Sequence, residues 1–231
     1  MSARPMDLAG HLPGASCPAA PAARFPDRLT LAGPAVVLEP LCEAHAGALW
    51  QAARGADASW HYLRYGPFAD AAAMRAQVAE LAGRTHQPFW AVCPRPGMMP
   101  LGWASLCDIY PEDAAIEIGS IWFSPALQRS RAATEAVFLL LRYAFDELGY
   151  RRMVWRCQAD NRASAAAALR YGFKPEGVWR SAVNVKGRRG DVAWHSMLAD
   201  EWPARRTALQ AWLAPGNFDA GGRPRSPLAR D

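Results

Sequence analysis

The chain has 231 residues, of which 51% are hydrophobic, 20% charged and 10% aromatic, and its formal net charge is +5. This composition excludes a disordered chain and supplies enough apolar side chains for one buried core. The longest uninterrupted apolar run, from Ala136 to Leu141, is far shorter than the roughly 20 residues that span a bilayer. We therefore predict no membrane-spanning segment.

The N-terminal segment lacks the apolar stretch of a secretory signal peptide. Five cysteines are scattered along the chain without a Cys-x-x-Cys pair, and the histidines show no metal-ligand spacing. This pattern argues against a disulfide scaffold or a zinc knuckle and suits a reducing compartment. We predict a cytoplasmic protein with no metal site.

The two ends of the chain differ in composition from the middle. Residues 1–34 contain six of the nineteen prolines and residues 214–231 contain three more, so we predict flexible arms on either side of a domain at 35–213. Each arm carries a net charge of +1, which leaves a dispersed +3 on the body. That charge is too small for a nucleic-acid surface but suits a small polyanionic ligand.

In chain order, helical and strand periodicities alternate through the body. Asp70, Asn161 and Asp200 are the predicted helix caps, and Gly149 ends the longest helix. The order predicts an α+β domain with a mixed, mostly antiparallel sheet of about seven strands and one central strand–helix–strand unit. The predicted elements are strand 36–40, helices 43–53 and 70–82, strands 89–93, 101–109 and 115–123, helix 132–148, strand 153–157, helix 162–171, strands 173–185 and 191–198, and helix 201–213.

A polar loop separates the strand at 115–123 from the long helix. It contains Gln128, Arg129, Ser130 and Arg131. The first turn of a helix has free backbone N–H groups and a partial positive charge, and both attract phosphate. The loop is therefore a candidate anion site, although its arginines would also fit an ordinary solvated surface.

Two more motifs follow this loop: Asn161-x-x-Ser164 opens the next helix, and Gly172-Phe173 ends it. With the strand order, these motifs make residues 35–200 resemble the GNAT superfamily of N-acetyltransferases, closest in style to the branch that acetylates ribosomal-protein N-termini. The resemblance implies transfer of an acetyl group from acetyl-CoA, the co-substrate, to a primary amine. The acceptor would be a small molecule or a protein N-terminus.

The resemblance also implies a cofactor site. The backbone of Ile121, Trp122 and Phe123 would pair with the pantetheine arm, and N–H groups of the loop would hold the pyrophosphate. Arg131 stands where the family has a glycine, so either its side chain grips a phosphate, which we favour, or the phosphate site is degraded. Arg170 would reach a phosphate or lie in solvent. The implied loop residues are Gln128, Arg129, Ser130, Arg131, Ala132 and Ala133, with Asn161 on the cofactor arm.

For catalysis, the resemblance assigns Glu117 as the general base that accepts the amine proton, with a surface or salt-bridged carboxylate as the alternative. An apolar cleft around Glu117 would raise its pKa. Ser164 either serves the leaving sulfur or only caps its helix. Ala168 occupies the position of a tyrosine found in many members, and Val183 that of a glutamate typical of the ribosomal-protein branch.

We expect the acceptor to enter between the first two helices and the hairpin at 186–190. Trp60, His61, Tyr62 and Tyr65 would form its wall or a packed loop. The protein is expected to be a monomer or homodimer. The missing loop glycine and tyrosine leave a second hypothesis open, a CoA-binding or sensory module without turnover.

Overall fold

The computed structural model describes residues 22–228. It contains eight strands, which are β1 (Leu31–Ala32), β2 (Val36–Pro40), β3 (Phe89–Pro94), β4 (Gly102–Tyr110), β5 (Ala115–Phe123), β6 (Arg152–Gln158), β7 (Lys174–Val185) and β8 (Arg188–Leu198). Five α-helices flank them, which are α1 (Ala46–Ala53), α2 (Ala71–Gly83), α3 (Arg131–Arg142), α4 (Arg162–Tyr171) and α5 (Trp202–Leu213).

The strands form one sheet in the order β1-β2-β3-β4-β5-β6-β8-β7. Neighbouring strands are antiparallel except for β5 and β6, which are parallel and joined by α3. This confirms the predicted mixed sheet with its central strand–helix–strand unit. Among residues 22–228, no helix is long and apolar enough to cross a membrane.

The helix boundaries agree with most of the predicted caps. Asp70 and Asn161 each accept a hydrogen bond from a first-turn N–H of their helices. Asp200 was wrongly predicted as a cap, because α5 begins one residue later, with Glu201 at the cap position. The Glu201 side chain instead accepts the N–H of Leu198 at 2.8 Å, which closes the turn before the helix.

Apolar side chains fill both faces of the sheet. On one face, α3, α4 and α5 cover the larger core, which includes Ile116 and Ile118 of β5. On the other face, α1 and α2 cover a smaller core in which Trp60 stacks on Trp122 at a centroid distance of 4.3 Å. Each of the six strands from β3 to β8 carries one tryptophan.

The described parts of both predicted arms lie against the domain. Leu31 is buried and belongs to β1, an eighth strand that pairs with β2, and Ala23 is buried nearby in the same core. At the other end, Phe218 packs on Trp212, and Leu228 is buried. Residues 1–21 and 229–231 lie outside the described residues, so the limits of the domain stay a prediction.

Glu135 of α3 anchors the start of the sheet. It is 3% exposed, and its carboxylate accepts the N–H of Ala35 at 2.6 Å and that of Val36. We expect Glu135→Ala to lower the free energy of unfolding by about 1–3 kcal/mol, because buried N–H groups lose their acceptor. Urea unfolding measures this change.

Glu43→Ala is the matched control, since Glu43 is exposed and its only described ion pair, with Arg75, is 3.7 Å long. An exposed pair of this kind contributes at most about 1 kcal/mol. Equal losses in the two variants would contradict the anchoring role of Glu135.

Candidate active site

The parallel pairing of β5 and β6 ends early. Three pairs are formed, the last between Glu117 and Val154. Beyond them, within the described structure, β5 pairs with β4 alone and β6 pairs with β8 alone. We call the opening between residues 118–123 and 155–158 the strand fork. Backbone groups that face the fork need hydrogen-bond partners from outside the sheet.

A bulge in β5 contributes to this separation. Ser120 has a left-handed φ of 50°, and the pairing of β4 with β5 shifts register between Trp103 and Ser105. A bulge of this kind bends a strand and ends regular pairing. The Gln87 side chain donates to the hydroxyls of Ser105 and Ser120, at 2.9 Å each, and so holds the bend in place.

Glu117 lies at the base of the fork and is 6% exposed. Its neighbours Ile116 and Ile118 point into the core under α3, so its own side chain points to the opposite face. Gly119 gives the carboxylate room, because a Cβ there would be 2.8 Å from Glu117 Oε1. Burial raises the pKa of Glu117 to about 7.

Arg156 of β6 forms an ion pair with Glu117 and a second one with Asp108 of β4. Its guanidinium lies 4.8 Å from the ring centroid of Trp194. Glu117 is therefore a salt-bridged carboxylate, and its pKa is nevertheless raised. Arg156 was not predicted from the sequence as a partner of Glu117. Since Met153 and Trp155 point into the opposite core, alternation along β6 places Arg156 on the Glu117 face.

Ser164 lies on the other face, in the first turn of α4. Its backbone N–H donates to Asn161 Oδ1 at 3.1 Å, so Asn161 is the cap. Its hydroxyl oxygen accepts the indole N–H of Trp155 at 3.0 Å, and the Cys157 thiol is a further hydrogen-bonding neighbour. The Ser164 side chain therefore does not cap the helix, and its hydroxyl lies between Trp155 and Cys157 beside the fork.

The loop before α3 ends in a regular helix N-terminus. Ser130 caps it by accepting the N–H of Ala133 at 3.0 Å, and Gln128 donates to the carbonyl of Phe123 at 2.9 Å. Arg129 has a left-handed φ of 60°. Within the described residues, the backbone N–H groups of Arg131 and the following residue, Ala132, have no hydrogen-bond acceptor.

The two arginines assigned to phosphate are packed against the C-terminal part of the chain. Arg131 donates to the carbonyl of Leu213 at 2.6 Å and lies over the Phe218 ring at 4.8 Å. Arg170 donates to Thr134 Oγ1 at 3.1 Å and lies over Trp212 at 4.6 Å. The expected grip of the Arg131 side chain on a phosphate therefore does not fit its position, and Arg170 is not free in solvent.

The side chains of the implied pantetheine strand are part of the two cores. Trp122 is buried in the smaller core, whereas Ile121 and Phe123 pack against the larger one. Only their backbone is therefore available to a ligand in the fork. Trp60 and Tyr65 also pack in the smaller core, which supports a packed loop for those two residues.

A cleft of about 660 Å³ opens beside the fork, on the face that carries Glu117. His61 and the hairpin residues Lys186 and Arg188 line it together with Gln158 and Asp160 at the end of β6. Gln158 lies two residues beyond Arg156 on the same strand, so both side chains point to one face. The cleft thus borders the hairpin beside which we predict that the acceptor enters.

One group of possible metal ligands lies away from the fork. Glu39, His45 and Cys93 have ligand atoms within 4.8 Å of one another. However, the N–H of Cys42 donates to His45 Nδ1 at 3.2 Å, so the neutral ring carries its proton on Nε2, which faces Glu39 at 3.1 Å. Both ring nitrogens are then used, and we interpret His45 as structural.

A comparison of the sequence with models of protein families agrees with the strand fork and with the free N–H groups at the start of α3. The profile of the acetyltransferase (GNAT) domain matches residues 35–174. The chain belongs to the GNAT acetyltransferase family. Members of this family transfer an acetyl group from acetyl-CoA.

Solved structures and curated proteins show the same relationship. A GCN5-related N-acetyltransferase from Brucella melitensis is 40% identical with a TM-score of 0.87, over 90% of this chain and 95% of that chain. A probable GNAT-family acetyltransferase from Chromobacterium violaceum is 42% identical with a TM-score of 0.78, over 84% of this chain and 98% of that chain. The Bacillus subtilis protein YdaF, provisionally named a ribosomal N-acetyltransferase, is 30% identical over 46% of this chain and only 57% of its own length.

Gly119 provides a test of the packing around Glu117. We expect Gly119→Ala to lower the free energy of unfolding by about 1–3 kcal/mol, because its Cβ would overlap the Glu117 carboxylate and the Cys107 sulfur. Gly47→Ala in α1 is the control, since a Cβ there meets nothing within 4 Å. Thermal unfolding compares the two, and a stable Gly119→Ala protein would show that the carboxylate is free to move.

Proposed function

We propose that the protein is an acetyl-CoA-dependent N-acetyltransferase that acts on a primary amine of a small molecule or a protein N-terminus. One observation carries this proposal: Glu117 forms the last pair before β5 and β6 separate. A buried carboxylate with a pKa of about 7 therefore lies beside unpaired backbone at the fork. That juxtaposition supplies a base next to a binding site for an extended chain.

The described residues fit the co-substrate. Acetyl-CoA supplies an activated acetyl thioester when it is bound. The free edge of β5 at residues 121–123 offers backbone hydrogen bonds to the amides of the pantetheine arm. The N–H groups of Arg131 and Ala132, with the helix dipole of α3, offer an anion site for the pyrophosphate. Asn161 keeps α4 in place beside the fork by capping it.

We assign a role to each face of the fork. Glu117 takes a proton from the ammonium group of the acceptor, and the neutral nitrogen attacks the thioester carbonyl carbon. The C–N bond forms, the C–S bond breaks, and the second nitrogen proton passes to the departing sulfur, which leaves as a thiol. Ser164 donates a hydrogen bond to that sulfur from the opposite face.

The cleft beside His61 and Lys186 is the proposed acceptor site. The four described cysteines are free, which supports a cytoplasmic location.

The sensory-module hypothesis loses one of its reasons, because Arg131 begins α3 with ordinary helical backbone and leaves its N–H available. A glycine is therefore not needed here for a positive φ.

The phosphate site is tested by two substitutions at one position. Arg131→Ala removes the side chain and keeps the N–H, whereas Arg131→Pro removes both. Proline is well tolerated at the first helical position, and Ser130 before it is extended, as proline requires. We expect unchanged CoA affinity for Arg131→Ala and a loss of about tenfold or more for Arg131→Pro, measured by calorimetry.

Both variants lose the hydrogen bond from the Arg131 side chain to Leu213. A difference in CoA affinity between them therefore reports on the backbone N–H alone. Weaker CoA binding by Arg131→Ala, to the level of Arg131→Pro, would show that the side chain holds the phosphate. Equal binding by wild type and Arg131→Pro would remove this N–H from the site.

The base is tested with Glu117→Gln, which keeps the shape of the side chain. We expect kcat to fall by about 100- to 10,000-fold while CoA affinity stays unchanged, because only proton transfer is lost. In the wild type, turnover should rise with pH near 7 as Glu117 ionises. Thiol release with a panel of amines measures both effects.

Wild-type turnover by Glu117→Gln would exclude Glu117 as the base. CoA binding without thiol release for any amine would favour the sensory module. Failure of the wild-type protein to bind CoA would overturn the proposed function as a whole.

A further inference from the structure

We propose that Arg156 is a positioning residue that keeps Glu117 ionised at the fork, and that Asp108 weakens this effect by sharing its guanidinium. This inference rests on the proposed function, since it concerns the base of that reaction. It adds two residues, one on β6 and one on β4, that the resemblance to the family did not indicate.

The contacts of Arg156 use three sides of its guanidinium. Its Nε faces Glu117 Oε2, its Nη2 faces Asp108 Oδ2, and its planar face lies 4.8 Å from the Trp194 ring centroid. The guanidinium is planar, and its N–H groups point in fixed directions. Two ion pairs and one ring therefore fix its position, so that Arg156 acts on Glu117 and not on a ligand at a distance.

Asp108 reaches Arg156 through an unusual backbone. It has a left-handed φ of 42°, and the register of β4 with β5 shifts between Cys107 and Tyr110. A non-glycine residue in this region is strained, and bulges commonly redirect a side chain beside a functional site. This backbone thus places the Asp108 carboxylate on the guanidinium that also pairs with Glu117.

The charges around Glu117 have opposite effects. Among the described residues, three titratable groups face it: Cys107 and Asp108 from β4 and Arg156 from β6. Burial raises the pKa of Glu117 and Asp108 raises it further, whereas Arg156 lowers it. A buried carboxyl without its cation would remain protonated at neutral pH and would not accept a proton from an amine.

The two neighbours therefore predict shifts of opposite sign. Arg156→Gln should raise the pKa of Glu117 by about 1–3 units, since an adjacent cation shifts a carboxyl by this amount. Asp108→Asn should lower it, because a negative charge is removed and the guanidinium serves Glu117 alone. Arg156→Lys keeps the positive charge, so the pKa of Glu117 in this variant should remain closer to its wild-type value.

The measurement is an NMR titration of the free protein, labelled with ¹³C at the glutamate side-chain carboxyls. The Glu117 signal is identified by its absence in Glu117→Gln, so the readout needs neither acceptor nor turnover. Opposite shifts for Arg156→Gln and Asp108→Asn support the proposal. Shifts in the same direction, or an unchanged Glu117 signal in both, overturn it.

Kinetics give a second readout that a structural role would not change. With an amine that the wild type acetylates, Arg156→Gln should lose turnover at pH 7 and regain most of it at alkaline pH, whereas Asp108→Asn should retain activity to lower pH. A loss that is equal at every pH would assign Arg156 to folding alone. If Glu117→Gln turns over normally while the NMR shifts occur, the base assignment fails and the Arg156–Glu117 coupling stands.

Discussion

The end of pairing between β5 and β6 is the constraint on which the site depends. Neighbouring parallel strands supply hydrogen-bond partners for each other's backbone N–H and C=O groups. Between β5 and β6 this pairing ends after Glu117 and Val154. The bulge at Ser120 bends one strand, while β8 continues to pair with the other. The sheet thereby acquires an opening with free backbone groups in its middle rather than at an exposed edge.

The same opening separates two chemical environments. Alternation along β5 and β6 sends Glu117 and Arg156 to the face with α1 and α2, and Trp155 to the face with α4. The proposed acceptor cleft and the proposed base therefore share one side, and Ser164 lies on the other. An acceptor amine would approach a thioester bound in the fork from one face, and the sulfur would leave toward the other face. The amine and the departing thiol would thus stay apart.

Most of the fold was predictable from the sequence, because strand alternation, helical spacing and caps such as Asp70 and Asn161 are local signals. Strand β1 was missed because two residues carry no periodicity, and only pairing with β2 defines them. Arg156 and Asp108 were missed as partners of Glu117 because they are distant in sequence and meet only through the register of three strands. Arg131 was assigned to phosphate from its place in the motif, but its side-chain direction depends on α5 and the C-terminal segment, which the motif does not contain.

The buried position of Glu117 also affects the stability of the whole domain. Its pKa is raised by burial from 4.5 to about 7 on folding, so its protonated form favours the folded state. This contribution to the stability of the folded state is complete below the pKa of Glu117 in the unfolded chain, and it is lost as the pH rises through about 7. At the pH where the proposed base becomes active, the domain thus carries an ionised buried carboxylate that a neutral side chain would avoid. The ion pair with Arg156 offsets part of that loss, because it stabilises only the ionised carboxylate.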